Sequence, residues 1–218
     1  MKIDDLERIF LQHEDADQAQ KMSAYLLGRF PHFGIQAPLR RKLTKDFISG
    51  EAAKQQIDWD VIDALWDKPE REFHQLVCDI LIKMKRDLRA EDFPKIKELA
   101  VSNSWWDSVD ALVKSFRHRA STELEIKEIM LAWSTDENFW IRRMAITSQL
   151  LAKEKTDRTL LTTCIVNNFE SDEFFINKAI GWALRDYSKT NPDWVRDFLL
   201  EYELELNSLS KREAKKYL

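Results

Sequence analysis

The chain has 218 residues, of which 44% are hydrophobic and 33% charged, and its formal net charge is −4. This composition is typical of a folded globular protein and excludes a disordered chain. No stretch approaches the roughly 18 apolar residues of a membrane-spanning helix, and the first residues, MKIDDLERIFLQHE, lack a signal-length apolar run, so we predict a cytoplasmic protein without membrane contact. The negative net charge gives no indication of a nucleic-acid partner.

The predicted elements are all helical. Apolar residues recur at i, i+3 and i+4 along nearly the whole chain, and the alternating runs typical of strands are hard to find. Pro38, Pro69 and Pro192 suit the first turns of helices, while Gly34 and Gly50 suit turns and helix ends. In chain order the periodicity predicts helices at about 2–13, 16–29, 38–49, 58–67, 70–86, 92–101, 105–118, 123–134, 138–153, 157–168, 172–188 and 192–203, with a last one that begins at Ser210.

Basic clusters recur along these helices, at an average spacing close to the roughly 40 residues of a HEAT-type repeat. They are RRKLTK (40–45), KMKRDLR (83–89), KSFRHR (114–119), IRR (141–143), NKAIGWALR (177–185) and SKREAKK (210–216). We therefore predict an all-α, single-domain α-solenoid over residues 1–218, built of degenerate HEAT-like antiparallel helix pairs. A non-repetitive helix bundle remains the alternative.

The clusters have two interpretations. A concave face lined by them would be locally positive despite the acidic overall charge, and would suit DNA. Lys and Arg near helix C-termini also complement the helix macrodipole, in which case the clusters are only solvated helix ends.

The helix predicted at 105–118 lies in the stretch SNSWWDSVDALVKSFRHR, residues 102–119. Ser104 fits the N-cap and Asp107 completes a variant of the capping box, which predicts a helix that begins at Trp105. The buried stripe of this helix is predicted to contain Trp105, Val109, Leu112 and Phe116.

Trp106, Asp110 and Arg117 lie at the edge of that stripe and share a face. One interpretation is structural: Trp106 packs on a neighbouring helix and Asp110 pairs with Lys114 at i+4. The other is that the indole and the carboxylate, one turn apart and off the core stripe, belong to a functional site.

Two later helices carry similar residues away from their main apolar line. In the helix predicted at 138–153, Arg143 lies on an apolar face, where it either snorkels to the surface or is held rigidly to grip a phosphate. In the helix predicted at 172–188, Trp182 is flanked by Lys178 at i−4 and Arg185 at i+3, so aromatic and basic groups are interleaved.

Several motifs, spread in order over essentially the whole chain, resemble the HEAT-like-repeat alkylpurine DNA glycosylases of the AlkD type. They are SAYLLGRF, FGIQAPLRRKL, WDKPEREF, SWWDSVD, FWIRRMAI, FFINKAIGWALRDYSKTNPD and LSKREA. The resemblance implies an α-helical solenoid with duplex DNA along its concave face. By motif position it implies a catalytic Asp110 flanked by Trp106 and Trp182, a phosphate-contacting Arg143, and Tyr25 and Gln36 facing the same cleft. Lys178, Arg185 and Arg117 are further candidates for DNA contact.

The implied chemistry is removal of 7-methylguanine or 3-methyladenine from duplex DNA. Such lesions carry a positive charge and leave as neutral bases, so a single carboxylate that stabilises the developing oxocarbenium suffices. The resemblance also implies that the lesion stays stacked in the duplex. The rival hypothesis is a solenoid that binds DNA or a protein without catalysis.

We expect no metal and no cofactor, and a monomer. The histidines, His13, His32, His74 and His118, and the cysteines, Cys78 and Cys164, lack metal-ligand spacing, and the chain has no glycine-rich phosphate loop. The two cysteines lie too far apart in sequence for a CxxC site, and we expect both to be buried as small hydrophobic residues.

Overall fold

The computed structural model describes residues 2–117 and 119–218. Over these residues it contains thirteen α-helices and no strand, which confirms the all-α prediction. In chain order the helices are α1 (Ile3–Gln12), α2 (Ala16–Tyr25), α3 (Ala37–Ala53), α4 (Trp59–Trp66), α5 (Arg71–Lys83), α6 (Phe93–Ser102), α7 (Trp106–Val113), α8 (Leu124–Trp133), α9 (Phe139–Thr147), α10 (Arg158–Val166), α11 (Phe174–Ser188), α12 (Pro192–Glu201) and α13 (Ser208–Ala214). Short 3₁₀ turns lie at Ala90–Asp92, Lys153–Lys155 and Lys215–Tyr217.

Every predicted helix corresponds to one of these, but three of them end several residues early, among them the one predicted to reach residue 118, which ends at Val113. The helix predicted to reach residue 29 ends at Tyr25, and the one predicted to reach residue 153 ends at Thr147. Just beyond each end the chain enters the left-handed region, at Leu27 (φ 57°) and Leu151 (φ 64°). Leucine rarely adopts this conformation, so the only recognisable stop signal at these two ends is Gly28 (φ 72°), directly after Leu27.

The chain folds as two compact units, Met1–Leu88 and Arg89–Leu218. In the first unit α3 and α4 both pack on α5. Its core includes Phe10, Phe33 and Phe73, whose ring centroids lie 5.1 to 5.8 Å apart. The single-domain organisation stays a prediction.

In the second unit the helices are stacked in a row. Helix α9 packs on α7, α11 packs on α9 and α13 packs on α11, while α10 packs on α8. Each helix therefore contacts mainly its neighbours, which is the packing of an α-solenoid rather than of a bundle closed around one core. The predicted solenoid-like fold is confirmed, and the row brings the helices that carry Asp110, Arg143 and Trp182 next to one another.

Helix α7 buries the stripe predicted for it but begins one residue late. The four residues of that stripe, Trp105 before the helix, Val109 and Leu112 within it and Phe116 after it, are each at most 7% exposed. The prediction of Ser104 as N-cap is wrong, because Trp105 occupies that position with an extended backbone (φ −158°). The Trp105 ring packs edge-on against Trp140 at 5.8 Å and Phe175 at 5.3 Å, so tertiary packing decides where this helix starts.

Two further features bear on the expectations from sequence. Among residues 2–117 and 119–218, no helix combines the length and apolar character needed to cross a bilayer. Cys78 and Cys164 are both free and buried, as predicted, and burial raises the pKa of the Cys164 thiol to about 12.

Candidate functional site

Trp106 and Asp110 lie one turn apart on α7, and both are half-buried at the edge of the core. The Asp110 side chain keeps 16% of its surface exposed. Ordinary helix geometry places them together: the core stripe of α7 faces inward, and the positions beside it face the rim of the core. The carboxylate is thus accessible without being fully solvated.

Arg143 on α9 holds this carboxylate by two hydrogen bonds. Its Nε donates to Asp110 Oδ1 at 2.9 Å and its Nη2 donates to Asp110 Oδ2 at 2.8 Å. Its Nη1 donates to the main-chain oxygen of Phe175 at 2.6 Å, at the start of α11. The Arg143 side chain is only 5% exposed, so it is held rigidly inside the protein and does not snorkel. One arginine therefore connects α7, α9 and α11 and fixes the direction of the Asp110 carboxylate.

Lys114 does not take part in this arrangement. It is exposed on the surface, whereas both oxygens of Asp110 accept hydrogen bonds from Arg143. The purely structural interpretation of Asp110, as half of an i,i+4 pair with Lys114, is therefore wrong.

A buried aromatic cluster lies next to Arg143. Trp105, Trp140 and Phe175 come from the start of α7, from α9 and from α11, with ring centroids 4.8 to 5.8 Å apart. The Arg143 guanidinium lies 5.9 Å from the centroid of the Phe175 ring. Because three helices share this cluster, the Arg143 guanidinium lies beside a rigidly packed group of rings.

Trp182 lies half-buried on α11, and the two basic residues beside it are already paired. Lys178 and Arg185 both bind the carboxylate of Glu213 on α13, at 2.8 and 2.7 Å. The Glu213 side chain is 4% exposed, and the hydrogen bonds from Lys178 and then Lys216 lower the pKa of its carboxyl to about 2. Sequence reasoning missed Glu213, because it appeared only as the single acid within a basic cluster, SKREAKK.

The remaining candidates lie elsewhere in the chain. Arg117 is half-buried just beyond the end of α7, where its main-chain N–H donates to the Val113 carbonyl at 2.8 Å. Tyr25 and Gln36 belong to the first unit: Tyr25 ends α2 and is 71% exposed, and Gln36 is the exposed N-cap residue of α3.

The loop before Gln36 is fixed by a buried carboxylate. Glu72, fully buried on α5, accepts hydrogen bonds from the main-chain N–H groups of Phe33, Gly34 and Ile35 at 3.2, 3.0 and 3.0 Å. Gly34 has a φ of +88°, and a Cβ there would lie 2.1 Å from the main-chain oxygen of Asp15. The FGIQ segment therefore adopts one conformation, which presents Gln36 at a defined place.

Two of the predicted basic clusters meet in a groove of the first unit. It has a volume of about 720 Å³ and lies between α3 and the end of α5. Its charged lining consists of Arg41, Lys45, Lys83, Lys85, Arg86 and Asp79. Asp79 is already paired with Arg40 at 2.9 Å, so the groove is strongly positive.

Comparison with known proteins shows what the chain is related to. The sequence profile of a family described as DNA alkylation repair enzyme matches residues 6–218. This chain belongs to the DNA alkylation repair enzyme family. A solved structure described as a predicted DNA alkylation repair enzyme from Enterococcus faecalis is similar to it, with 38% sequence identity and a TM-score of 0.86 over 94% of this chain and 96% of that one. No curated protein sequence matches this chain significantly.

Family membership confirms the resemblance drawn from the motifs and makes this chain a DNA-repair protein of the alkylation repair class. In this family member the structure brings Asp110 into contact with Arg143, and brings Lys178 and Arg185 together through Glu213. The roles of these residues stay predictions. Within residues 2–117 and 119–218 no group of three or more His, Cys, Asp or Glu side chains is placed to hold a metal ion, and His118 lies outside them.

Proposed function

We propose that this member of the family is a monofunctional DNA glycosylase that hydrolyses the N-glycosidic bond of cationic alkylated purines in duplex DNA. The substrates would be 7-methylguanine and 3-methyladenine, and the enzyme would act as a monomer in the cytoplasm. The observation that carries the proposal is the half-buried, still accessible Asp110 carboxylate, oriented by Arg143 and placed one turn from Trp106.

The chemistry requires little of the protein beyond such a carboxylate. The bond between C1′ and the purine breaks with both electrons going to the cationic base, which departs neutral. Asp110 then stabilises the positive charge that develops on the sugar and positions water, whose oxygen bonds to C1′ and whose proton passes to solvent. No general acid is needed for base departure.

Arg143 would act by orienting Asp110. Three of its five N–H donors are used by Asp110 and the Phe175 carbonyl. Contact with a DNA phosphate would rely on the two donors that remain. Orientation of the carboxylate is therefore its main proposed role, and phosphate contact stays a prediction.

Trp106 and Trp182 would supply aromatic faces next to the reacting sugar. The face of an indole attracts positive charge, and the sugar gains positive charge as the base departs. This arrangement acts on the deoxyribose, so it is compatible with a lesion that remains stacked in the duplex.

The decisive experiment measures release of free 7-methylguanine from methylated duplex DNA at low salt. We expect the wild type to release it and Asp110→Asn to lose at least ~100-fold in rate while it still binds DNA. Asp107→Asn, three residues earlier on the same helix, removes the same charge and should keep its activity. No release by the wild type, with DNA binding retained, would contradict the enzymatic proposal and support a non-catalytic DNA-binding solenoid.

A further inference from the structure

Glu213 is the centre of a cluster of four charges, two of which come from the part of α11 that carries Trp182. Its carboxylate accepts hydrogen bonds from Arg185 Nη1 at 2.7 Å and from Lys216 Nζ at 2.9 Å, and it forms an ion pair with Lys178 Nζ at 2.8 Å. The acid is almost completely buried, while Lys178 and Arg185 keep 38% and 23% of their side chains exposed. Three positive charges against one negative charge leave the cluster with a net charge of +2.

The position of Glu213 is set by main-chain packing. A Cβ at Gly181, the residue before Trp182, would lie 2.5 Å from the Cβ of Glu213 and 2.9 Å from the main-chain oxygen of Ser210. Ser210 Oγ also donates to the main-chain oxygen of Asn177 at 2.9 Å. Helices α11 and α13 are therefore in close contact at Gly181, the neighbour of Trp182 in the chain, and Glu213 cannot shift without moving one of them.

This packing fixes where the two cations point. Lys178 precedes Trp182 by four residues and Arg185 follows it by three, so both lie on the Trp182 side of α11. A lysine ammonium has three N–H donors and an arginine guanidinium five, and Glu213 occupies only part of each set. The free donors of two immobilised, partly exposed cations remain available to a ligand on either side of the indole.

We propose that Glu213 is a positioning residue that holds Lys178 and Arg185 on either side of Trp182 as a preformed site for backbone phosphates of duplex DNA. The identity of the ligand rests on the proposed function. A long cationic side chain loses much rotational freedom when it binds, and a buried anion that orders it beforehand removes that cost. Without the anion, the three cations repel one another and lose their fixed positions.

Glu213 could instead merely neutralise the three cations, and this role predicts the opposite effect of its removal on DNA binding. If the acid only neutralised its partners, its removal would release positive charge and tighten DNA binding, with a steeper dependence on salt. If it preorganises them, its removal weakens DNA binding although the protein becomes more positive. The sign of one change in affinity separates the two roles.

The experiment measures binding of an undamaged fluorescent duplex by anisotropy at several salt concentrations, for wild type, Glu213→Gln and Glu205→Gln. Glu205 is an exposed acid shortly before α13 and outside the cluster, so its variant makes the same change in charge. We expect Glu213→Gln to bind about fivefold more weakly than Glu205→Gln. Binding by Glu213→Gln as tight as that of Glu205→Gln, or tighter, would overturn the proposal.

Two further variants test the proposal if Glu213→Gln loses its fold, which a thermal melt would reveal. Lys178→Met and Arg185→Met keep Glu213, and each should lower the slope of log K against log salt by about 1. If neither variant changes the slope, the two cations do not contact phosphate and the proposal fails. Because the duplex carries no lesion, these results are independent of whether the protein excises bases.

Discussion

Arg143 and Asp110 face each other across α9 and α7 as a bidentate pair, Nε to Oδ1 at 2.9 Å and Nη2 to Oδ2 at 2.8 Å. The guanidinium is inside the protein and the carboxylate is at its edge. The pair therefore presents the Asp110 carboxylate, and not the Arg143 guanidinium, to a ligand at the surface.

Arg143→Lys should lower the rate of excision more than the affinity for DNA. A lysine keeps the charge but cannot make two parallel hydrogen bonds, so Asp110 loses its fixed direction. We expect the single-turnover rate to fall about 10- to 100-fold and the dissociation constant to change less than about threefold. Arg142→Lys is the matched control, because that side chain bonds main-chain oxygens of Asp136 and Glu137 instead. A loss of affinity at an unchanged rate would indicate that Arg143 grips phosphate.

Asp110→Ala should destabilise the fold more than Asp110→Asn. The alanine variant leaves the buried guanidinium with only the Phe175 carbonyl, at a cost of about 3 kcal/mol, whereas asparagine keeps one acceptor oxygen and costs about 1 kcal/mol. Urea denaturation measures both. Asp193→Ala, which breaks an exposed pair with Arg196, should change stability by less than about 0.5 kcal/mol. Equal stability of the two Asp110 variants would show that the pair does not hold Arg143 in place.

Trp106→Leu should be slower than Trp106→Phe in release of 7-methylguanine. Phenylalanine keeps an aromatic face for the developing positive charge, while leucine keeps only apolar bulk. We expect the leucine variant to be about 5- to 20-fold slower than the phenylalanine variant. At Trp182 we likewise expect the leucine variant to be slower than the phenylalanine variant. Single-turnover rates at saturating enzyme separate this effect from binding. Equal rates for the two variants would leave the indoles with a packing role only.

The stabilising effect of Glu213 should disappear in acid. Its pKa in the folded protein is lowered to about 2 from an ordinary value of 4.5, first of all by Lys178. A lowered folded pKa gives stability that is present above the unfolded pKa and is lost as pH falls through the folded one. The difference in melting temperature between wild type and Glu213→Gln should therefore shrink as pH falls from about 4.5 to about 2. A difference that stays constant over this window would contradict the assigned pairing.

Two glycine-to-alanine changes should have opposite effects on stability. Gly181→Ala places a methyl group 2.5 Å from the Cβ of Glu213, so α11 and α13 must separate, at a cost of about 1–3 kcal/mol. Gly50→Ala, within α3, meets nothing within 4 Å and should stabilise the protein by about 0.5–1 kcal/mol, because alanine is the better helix former. Urea denaturation should give a lower midpoint than wild type for Gly181→Ala and a higher midpoint for Gly50→Ala.

The sequence predicted the helices well because their signal is local. The 3.6-residue period of the apolar residues identified all the helices and the buried stripe of α7. The prediction of the first residue of α7 was wrong because tertiary contacts determine where this helix starts. Trp105 packs on Trp140 and Phe175, and it is the N-cap in place of Ser104.

The sequence named the residues of the candidate site except Glu213, but it did not predict which of them are paired. Asp110 and Arg143 are 33 positions apart, and Glu213 is 28 and 35 positions from Arg185 and Lys178. No periodicity connects positions so distant, because their pairing depends on which helix stacks on which. Arg143 and the two cations beside Trp182 therefore looked like free phosphate ligands in the sequence, and the structure supplies each with a carboxylate partner.

The Glu72 carboxylate has a consequence for the order in which the chain folds during synthesis. The N–H groups of residues 33–35 are bound by an acid 37 to 39 positions later, so no partner for them exists while only the first 71 residues have left the ribosome. Gln36 acquires its final place only once α5 has emerged. The first unit therefore cannot complete its fold until α5 has been synthesised, and in a truncated chain that stops before residue 72 the loop between α2 and α3 lacks the carboxylate that orders it.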